Sequence, residues 1–328
     1  MDINQAAKGS IVVFGGGGQV GSELGNLKKT RLITLKSSEC NITEYSQIVS
    51  VLDRIKPQLV INCAAFTAVD RAETESSLAY LVNAKGPELL AQACIARDIG
   101  FIHLSTDYVF AGDGHKRLTE ESPTNPLSVY GASKLQGEEA VRAIMGSLGI
   151  TVRTSAVFGQ NGPNFVLTML KLFSSRPTID VVNDQWMSPT WTGWLAPTLL
   201  EIGDYFAKYH AFPVATIHAC CSGQTNWFNF SQYILKQSGC ILGEQKNHES
   251  DVAHGTSLQC NIRPISAAQF NAAAKRPLFS VLDTALLQEH FGITPLPWQE
   301  GLNSYLSYLG YCKGEAREYN HTIRNEIR

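Results

Sequence analysis

Ser10-Ile-Val-Val-Phe14-Gly15-Gly16-Gly17-Gly18-Gln19-Val20-Gly21 is an apolar, β-branched run that passes without a break into glycines. The glycine spacing satisfies both G-x-x-G-x-x-G (15, 18, 21) and G-x-G-x-x-G (16, 18, 21), and the register between the two stays open. Residues without side chains let the backbone turn sharply and approach a pyrophosphate. The amides and dipole at the start of the following helix then hold its negative charge. Alone, such a pattern also fits a flexible glycine turn; a strand before it and a helix-length stretch after it give it the context of a dinucleotide site.

Working outward, short apolar runs alternate with helix-length stretches, the pattern of parallel strands joined by crossover helices. The expected strands are Ser10 to Phe14, Arg31 to Lys36, Gln58 to Ala64, Phe101 to Ser105 and Ile150 to Val157. Each is nearly continuous in apolar residues, as burial on both faces demands. Between Ser76 and Asp98 the residues Leu78, Leu81, Val82, Leu89, Leu90 and Ala93 recur at three- and four-residue steps, which predicts one helix with a single buried stripe. The fold class read from this is α/β, a doubly wound parallel (Rossmann) sheet with a smaller C-terminal α/β substrate lobe. Beyond about residue 160 the alternation weakens and Pro and Trp become frequent, with a returning strand at Val214 to Cys220. The expected division is an NADP-binding domain over 1–160, completed by 191–220, a substrate lobe over 161–190 and 221–312, and a loosely held polar tail over 313–328.

Composition excludes several classes. With 44% hydrophobic and 17% charged residues the chain of 328 can bury a full core. A net charge of 27 minus 29, or -2, offers no basic field for nucleic acid or an anionic membrane. Apolar runs such as Ile11 to Phe14 and Leu59 to Ile61 fall far short of the roughly 20 residues that span a bilayer. Met1 to Ser10 is polar and lacks the apolar core of a secretory signal, so a cytoplasmic protein is expected. The eight cysteines form no C-x-x-C pair and no zinc pattern, which predicts thiols rather than a metal site.

The second expected strand ends at Lys36-Ser37-Ser38, where an NAD-preferring site would place a carboxylate for the ribose hydroxyls. A lysine and two hydroxyls suit a 2′-phosphate, so NADPH is the expected cofactor, with NADH and a merely solvated lysine left open. Further on, Tyr130-Gly-Ala-Ser-Lys134 sets a phenol and an ammonium four apart on one helix face. Carbonyl reduction needs a proton on oxygen, and a phenol near pKa 10 is a weak donor unless a neighbouring cation favours the phenolate. Tyr130 is the expected general acid and Lys134 its electrostatic partner. Ser105-Thr106-Asp107-Tyr108-Val109-Phe110 ends the fourth strand, the sheet edge where ligands bind in open α/β folds, and Thr106 can donate to the substrate oxygen. A lone Y-x-x-x-K is commonplace; glycine loop, strand-end threonine, then tyrosine and lysine in that order are far more specific.

These residues resemble the extended short-chain dehydrogenase/reductases and, within them, the dTDP-4-dehydrorhamnose reductase family. The resemblance rests on Gly18 to Gly21, Asn62 to Asp70, Ser105 to Phe110, Asn125-Pro126-Leu127 with Val129-Tyr130-Gly131, and Asn183-Asp184-Gln185 with Pro189-Thr190. It extends to Arg276-Pro277, Ser280, Leu282-Asp283, Leu296-Pro297-Trp298 and Gly301-Leu302, and so covers most of the chain. It implies Tyr130 as proton donor, Lys134 as ribose anchor, Thr106 as tuning hydroxyl and Asp107 as a sugar contact. It also implies a cofactor lined by Gly15, Gly18, Gln19, Val20, Ala65, Phe66 and Thr67, with Asn41 and Ile42 near the adenine. The implied substrate is a dTDP-linked 4-keto-6-deoxyhexose on the route to dTDP-L-rhamnose, and the implied assembly a homodimer with Mg2+ at its interface, though no metal ligands are legible.

Two departures matter. Arg153-Thr154-Ser155-Ala156-Val157-Phe158 carries Ala156 where the family has a tryptophan expected to pack on the sugar, so a reductase for a different nucleotide keto-sugar is a competing expectation. Asn41 stands where an aspartate is usual. Sugar-nucleotide dehydratases carry Thr-Asp-Glu where this chain has Thr106-Asp107-Tyr108, and without the second carboxylate water elimination lacks its acid/base pair. A non-catalytic NADP-binding regulator is the remaining alternative, since the methionine adenosyltransferase regulatory subunit resembles the same family. Trp186 is read as either a nucleotide neighbour or a packing residue, His103 as a satisfied core residue, and Cys220-Cys221 as two thiols rather than a strained disulfide.

Overall fold

Strands without a polar face must be covered on both sides, and that requirement organises the molecule. A computed structural model describes residues 9–29, 31–112, 114–239 and 260–311. The expected runs form β1 (Ile11–Phe14), β2 (Leu32–Leu35), β3 (Leu59–Asn62), β4 (Gly100–Thr106) and β5 (Gly149–Thr154). The expected returning segment contributes Thr216–His218 beside β5. All pairings are parallel, in the order Thr216–His218, β5, β4, β3, β1, β2. The chain leaves β1 for β2 on one side and comes back for β3 on the other, so the strand order reverses at β1. A crevice opens there at the carboxyl ends of β1 and β3, the place where such sheets bind ligands.

Successive side chains divide between two cores. Ile11, Val13, Ile61, Ile102 and Val152 pack under Leu195, Leu199 and Phe206 of the helix Thr192–Tyr209. Val12, Phe14, Val60 and Phe101 pack against Ile48, Leu52, Leu90 and Val141 from helices on the opposite face. Each such side chain, fully buried, contributes about 1.5–3 kcal/mol. A third core gathers Phe158, Phe173, Trp191, Phe230, Trp298 and Tyr305 outside the sheet. Beside it, Thr178–Val182 pairs in parallel with Asn261–Ile265. The tail over 313–328 lies outside the described residues, as do Cys240 and Cys312.

Two expectations are corrected. The segment from Ser76 is helical to Ile95, but a π turn at Leu81–Lys85 interrupts it. That wider turn holds one extra residue, which rotates the preceding face by about 100°. Leu78 and Leu81 are consequently 42% and 43% exposed, while Ala79, Asn83 and Ala84 point inward beside the expected Leu90 and Ala93. The fifth expected strand does not run through to Val157. Ala156 adopts a left-handed φ of 43°, and the chain turns there into a separate strand, Val157–Phe158, paired with Thr190–Trp191.

Candidate active site

The glycine loop is shaped by one hard constraint. Gly15 sits at φ 85°, and a Cβ there would lie 2.4 Å from the Ala64 backbone nitrogen, so the turn after β1 is seated directly on the loop after β3. The helix that follows, Gln19–Asn26, has glycine as its N-cap, no capping side chain and no acid in its first turn. Its end is therefore open to an anion. The buried Gln19 Oε1 also has no protein partner. A bare cradle and uncapped amides fit the pyrophosphate of a dinucleotide, while the Gln19 oxygen, an acceptor, suits a donor on the ligand instead.

From this loop a cleft of about 790 Å3 runs along the sheet edge. It is lined at one end by Gly15, Gly18, Gln19, Val20, Lys36, Asn41, Ile42, Ala65 and Thr67, and at the other by Thr106, Asp107, Tyr130, Lys134 and Ala156. Ser37 and Ser38 join Lys36 there. The nearest acid, Glu39, turns back to accept from the Lys36 amide at 2.8 Å and is not part of the lining.

Tyr130 and Lys134 are carried by the helix Val129–Met145, capped by Ser128, whose hydroxyl accepts from the Gly131 amide at 3.2 Å. A Cβ on Gly131 would lie 2.2 Å from the Tyr108 carbonyl oxygen; only glycine lets the helix press onto the strand end that carries Thr106. The phenol is hydrogen-bonded to Thr106, and its ring meets Tyr108 edge-on at 5.7 Å. Thr106 Oγ1 donates to Asp107 Oδ1 at 3.1 Å. Asp107 is 3% exposed, and its Oδ2 accepts from Ser155 at 2.8 Å and Ser280 at 2.5 Å. Burial raises its pKa, and the Ser280, Ser155 and Thr106 hydroxyls oppose that rise.

The electrostatics depart from expectation. Burial pushes Tyr130 up to about 12, opposed by its bond to Thr106 and reinforced by the Asp107 charge. In the protein alone the Lys134 ammonium is engaged with the backbone rather than with the phenol. That ammonium donates to the Leu104 carbonyl at 2.7 Å, and burial lowers it to about 8. In the protein alone the phenol thus keeps its proton at neutral pH, the state a proton donor needs.

The chain matches the family described as RmlD substrate binding domain over residues 9–310. It is 35% identical to a dTDP-4-dehydrorhamnose reductase of Aggregatibacter actinomycetemcomitans over 91% of this chain and 98% of that one. The chain belongs to the dTDP-4-dehydrorhamnose reductase family. A second member, from Streptomyces griseus, is 37% identical, covering 93% of this chain and 95% of its own. The Bacillus anthracis dTDP-4-dehydrorhamnose reductase, solved in complex with NADP, superposes with a TM-score of 0.81 at 31% identity, covering 92% of this chain and all of that one. The family is one of NAD(P)-dependent oxidoreductases, and the parallel sheet with its glycine loop is the fold it shares.

Of the site residues expected from sequence, Phe66 alone does not line the reductase's cleft. Its backbone is clamped by Asn83, whose Oδ1 accepts from the Phe66 amide at 2.8 Å and whose Nδ2 donates to the Phe66 carbonyl at 3.0 Å. Its ring lies under the Arg71 guanidinium at 5.6 Å. Asn83 Nδ2 also reaches Ser133 Oγ at 3.0 Å, tying the loop after β3 to the helix that carries Tyr130 and Lys134. Sequence reading missed Asn83, which faces inward only because of the π turn. It also missed Ser155 and Ser280, brought to Asp107 across long chain separations.

The remaining residues divide cleanly. Trp186 and Trp227 line the cleft, whereas Trp191 and Trp298 pack into the third core. His103 is buried beside Phe101 and accepts at Nδ1 from Asn62 Nδ2 at 3.1 Å; burial holds its pKa far below the usual range, so it is a neutral core residue. Cys220 and Cys221 are free thiols. Among the described residues no three His, Cys, Asp or Glu side chains converge as a metal cage, and no helix is long and apolar enough to cross a membrane.

Proposed function

We propose that this chain reduces the 4-keto group of a dTDP-linked 4-keto-6-deoxyhexose with NADPH, in dTDP-L-rhamnose or related deoxysugar synthesis. The observation that carries the reading is Tyr130, lining with Thr106 and Lys134 the cleft that begins at the glycine loop. Gly15, Gly18, Gln19 and Val20 would hold the cofactor's pyrophosphate, Ala65, Phe66 and Thr67 the segment beside it, and Asn41 and Ile42 the adenine end. Bound there, NADPH supplies the hydride that goes to the carbonyl carbon. Tyr130 gives its proton to the carbonyl oxygen, so the ketone becomes an alcohol and the phenol a phenolate. Thr106 holds the oxygen in place, while Lys134, protonated at neutral pH, favours the phenolate left behind. Asp107 and Ala156 flank the sugar.

In this reading residues 1–160 with 191–220 bind the cofactor, and 161–190 with 221–312 bind the sugar. Lys36, Ser37 and Ser38 take the 2′-phosphate. The protein acts in the cytoplasm as a homodimer, with Mg2+ at the contact, which sedimentation with and without a chelator tests. A second reading is favoured by Ala156, which leaves the cleft wall small at that point: the substrate is a related nucleotide keto-sugar. The deciding experiment is a panel of nucleotide 4-keto-sugars with products identified by NMR and Michaelis constants compared for NADPH and NADH. Turnover of the dTDP-4-keto sugars with an NADPH preference is expected. Failure to reduce any of them would overturn the activity, and a clear NADH preference would overturn the role given to Lys36.

A further inference from the structure

A hexose ring carries an apolar C–H face as well as hydroxyls, and a site that reduces it must cover that face to hold the carbonyl still. At the reacting end of the cleft, residue 156 is an alanine and covers little. The aromatic rings that line the cleft are Tyr108, Tyr130, Trp186 and Trp227. Tyr130 is the acid itself. Tyr108 is edge-on to Tyr130, and its hydroxyl is hydrogen-bonded to Arg276. Trp227 packs on Phe165 with ring centres 4.6 Å apart. That leaves Trp186.

Its position is fixed from both sides. The Trp186 amide donates to the Leu278 carbonyl at 2.8 Å, and the Ser280 amide donates to the Trp186 carbonyl at 2.8 Å. Ser280 then reaches with its hydroxyl to Asp107, the residue after Thr106. One serine thus sets the tryptophan strand and the catalytic strand end against each other. The paired strand Thr225–Asn226, with Asn226 opposite Trp186, backs the arrangement.

We infer that Trp186 is the aromatic platform for the sugar ring and the residue that sets which nucleotide keto-sugar the cleft accepts. The inference rests on the reductase reading. The indole works by covering apolar surface, so it acts on substrate affinity and alignment and leaves cofactor binding alone. Trp186→Ala is expected to raise KM for the keto-sugar about 10- to 100-fold, the scale of losing one ring face, with the NADPH Kd unchanged. Trp186→Phe, which keeps a ring, restores most of that loss. An alanine variant whose KM stays within about 2-fold of the parent, in a protein that does turn over keto-sugar, overturns the platform and leaves the reductase reading intact. Should the parent reduce no keto-sugar, the reductase reading fails by itself. Calorimetric titration of NADPH-loaded parent and Trp186→Ala with dTDP-glucose then decides the platform: weaker binding by the variant supports it, and equal binding or none overturns it.

Discussion

Lys134 should make this protein less stable than a hydrophobic residue would in the same place. The side chain is 2% exposed, and burial lowers its pKa from 10.5 to about 8. A drop of that size means the folded chain holds the lysine's proton less tightly than the unfolded chain by about 3 kcal/mol. Lys134→Met keeps the length of the stem and removes that charge. Against the gain stands the Leu104 carbonyl, which loses a charged donor at 2.7 Å, a loss of about 1–2 kcal/mol. The ligand-free methionine variant should therefore be more stable by about 1–2 kcal/mol near pH 7.

The pH dependence is the sharper test. Below about pH 8 the lysine is protonated in both states and its full cost is present. Between about 8 and 10.5 the unfolded chain binds more protons than the folded one, so the parent gains stability as pH rises, by up to about 1.4 kcal/mol per pH unit. The variant's advantage should shrink across that window, vanish by about pH 9 to 9.5 and reverse near the window's upper end. Urea denaturation of both proteins at about pH 7 and about pH 9.5 measures it. A variant less stable than the parent by more than about 1 kcal/mol at the lower pH, or a gap that does not narrow, would refute the reasoning. In turnover the same substitution should lose about 10²-fold or more, and kcat/KM of the parent should fall above about pH 8 as the ammonium is lost.

Tyr130→Phe keeps the ring that meets Tyr108 and deletes the hydroxyl bonded to Thr106, so turnover should fall at least about 10²-fold while denaturation shifts by no more than about 1 kcal/mol; near-full turnover would remove Tyr130 from the role of acid. Glu138→Gln should destabilise by about 3–5 kcal/mol, because it leaves buried Arg153 without the carboxylate it grips through Nε at 3.0 Å and a terminal nitrogen at 2.7 Å; a thermal melt within about 1 °C of the parent would contradict this.

Much of the architecture was legible because it follows from local rules. Ile11 to Phe14 and Leu59 to Ile61 are short runs that only two-sided burial explains, and the glycines after Phe14 mark where the first of them must turn. Tyr130 and Lys134 share a helix face by spacing alone, and the structure brings both into the cleft with Thr106. What escaped depends on backbone irregularity. An extra residue in the turn at Leu81–Lys85 leaves no mark in an apolar pattern, yet it exposes Leu78 and Leu81 and turns Asn83 inward. The left-handed Ala156 is equally silent, since alanine ordinarily favours negative φ. The phenol's pKa in the protein alone escaped for a related reason: sequence shows which charges are neighbours along the helix, but not how much water burial removes from each.

The buried Asp107 shows how such hidden features combine. A carboxylate without a cation is costly to bury, and here three hydroxyls share its charge. They come from the end of β4, from the turn after β5 and from the segment that also clasps Trp186. Asp107 in turn holds Thr106, whose Oγ1 donates to it at 3.1 Å and accepts from the Tyr108 amide at 3.2 Å. The placing of Thr106 beside Tyr130 is thus tied, through Asp107, to Ser280, 150 residues further along the chain than Tyr130. The strand end that carries Thr106, the turn after β5 and the segment that clasps Trp186 are therefore one hydrogen-bonded unit, and displacing any one of them must loosen the others.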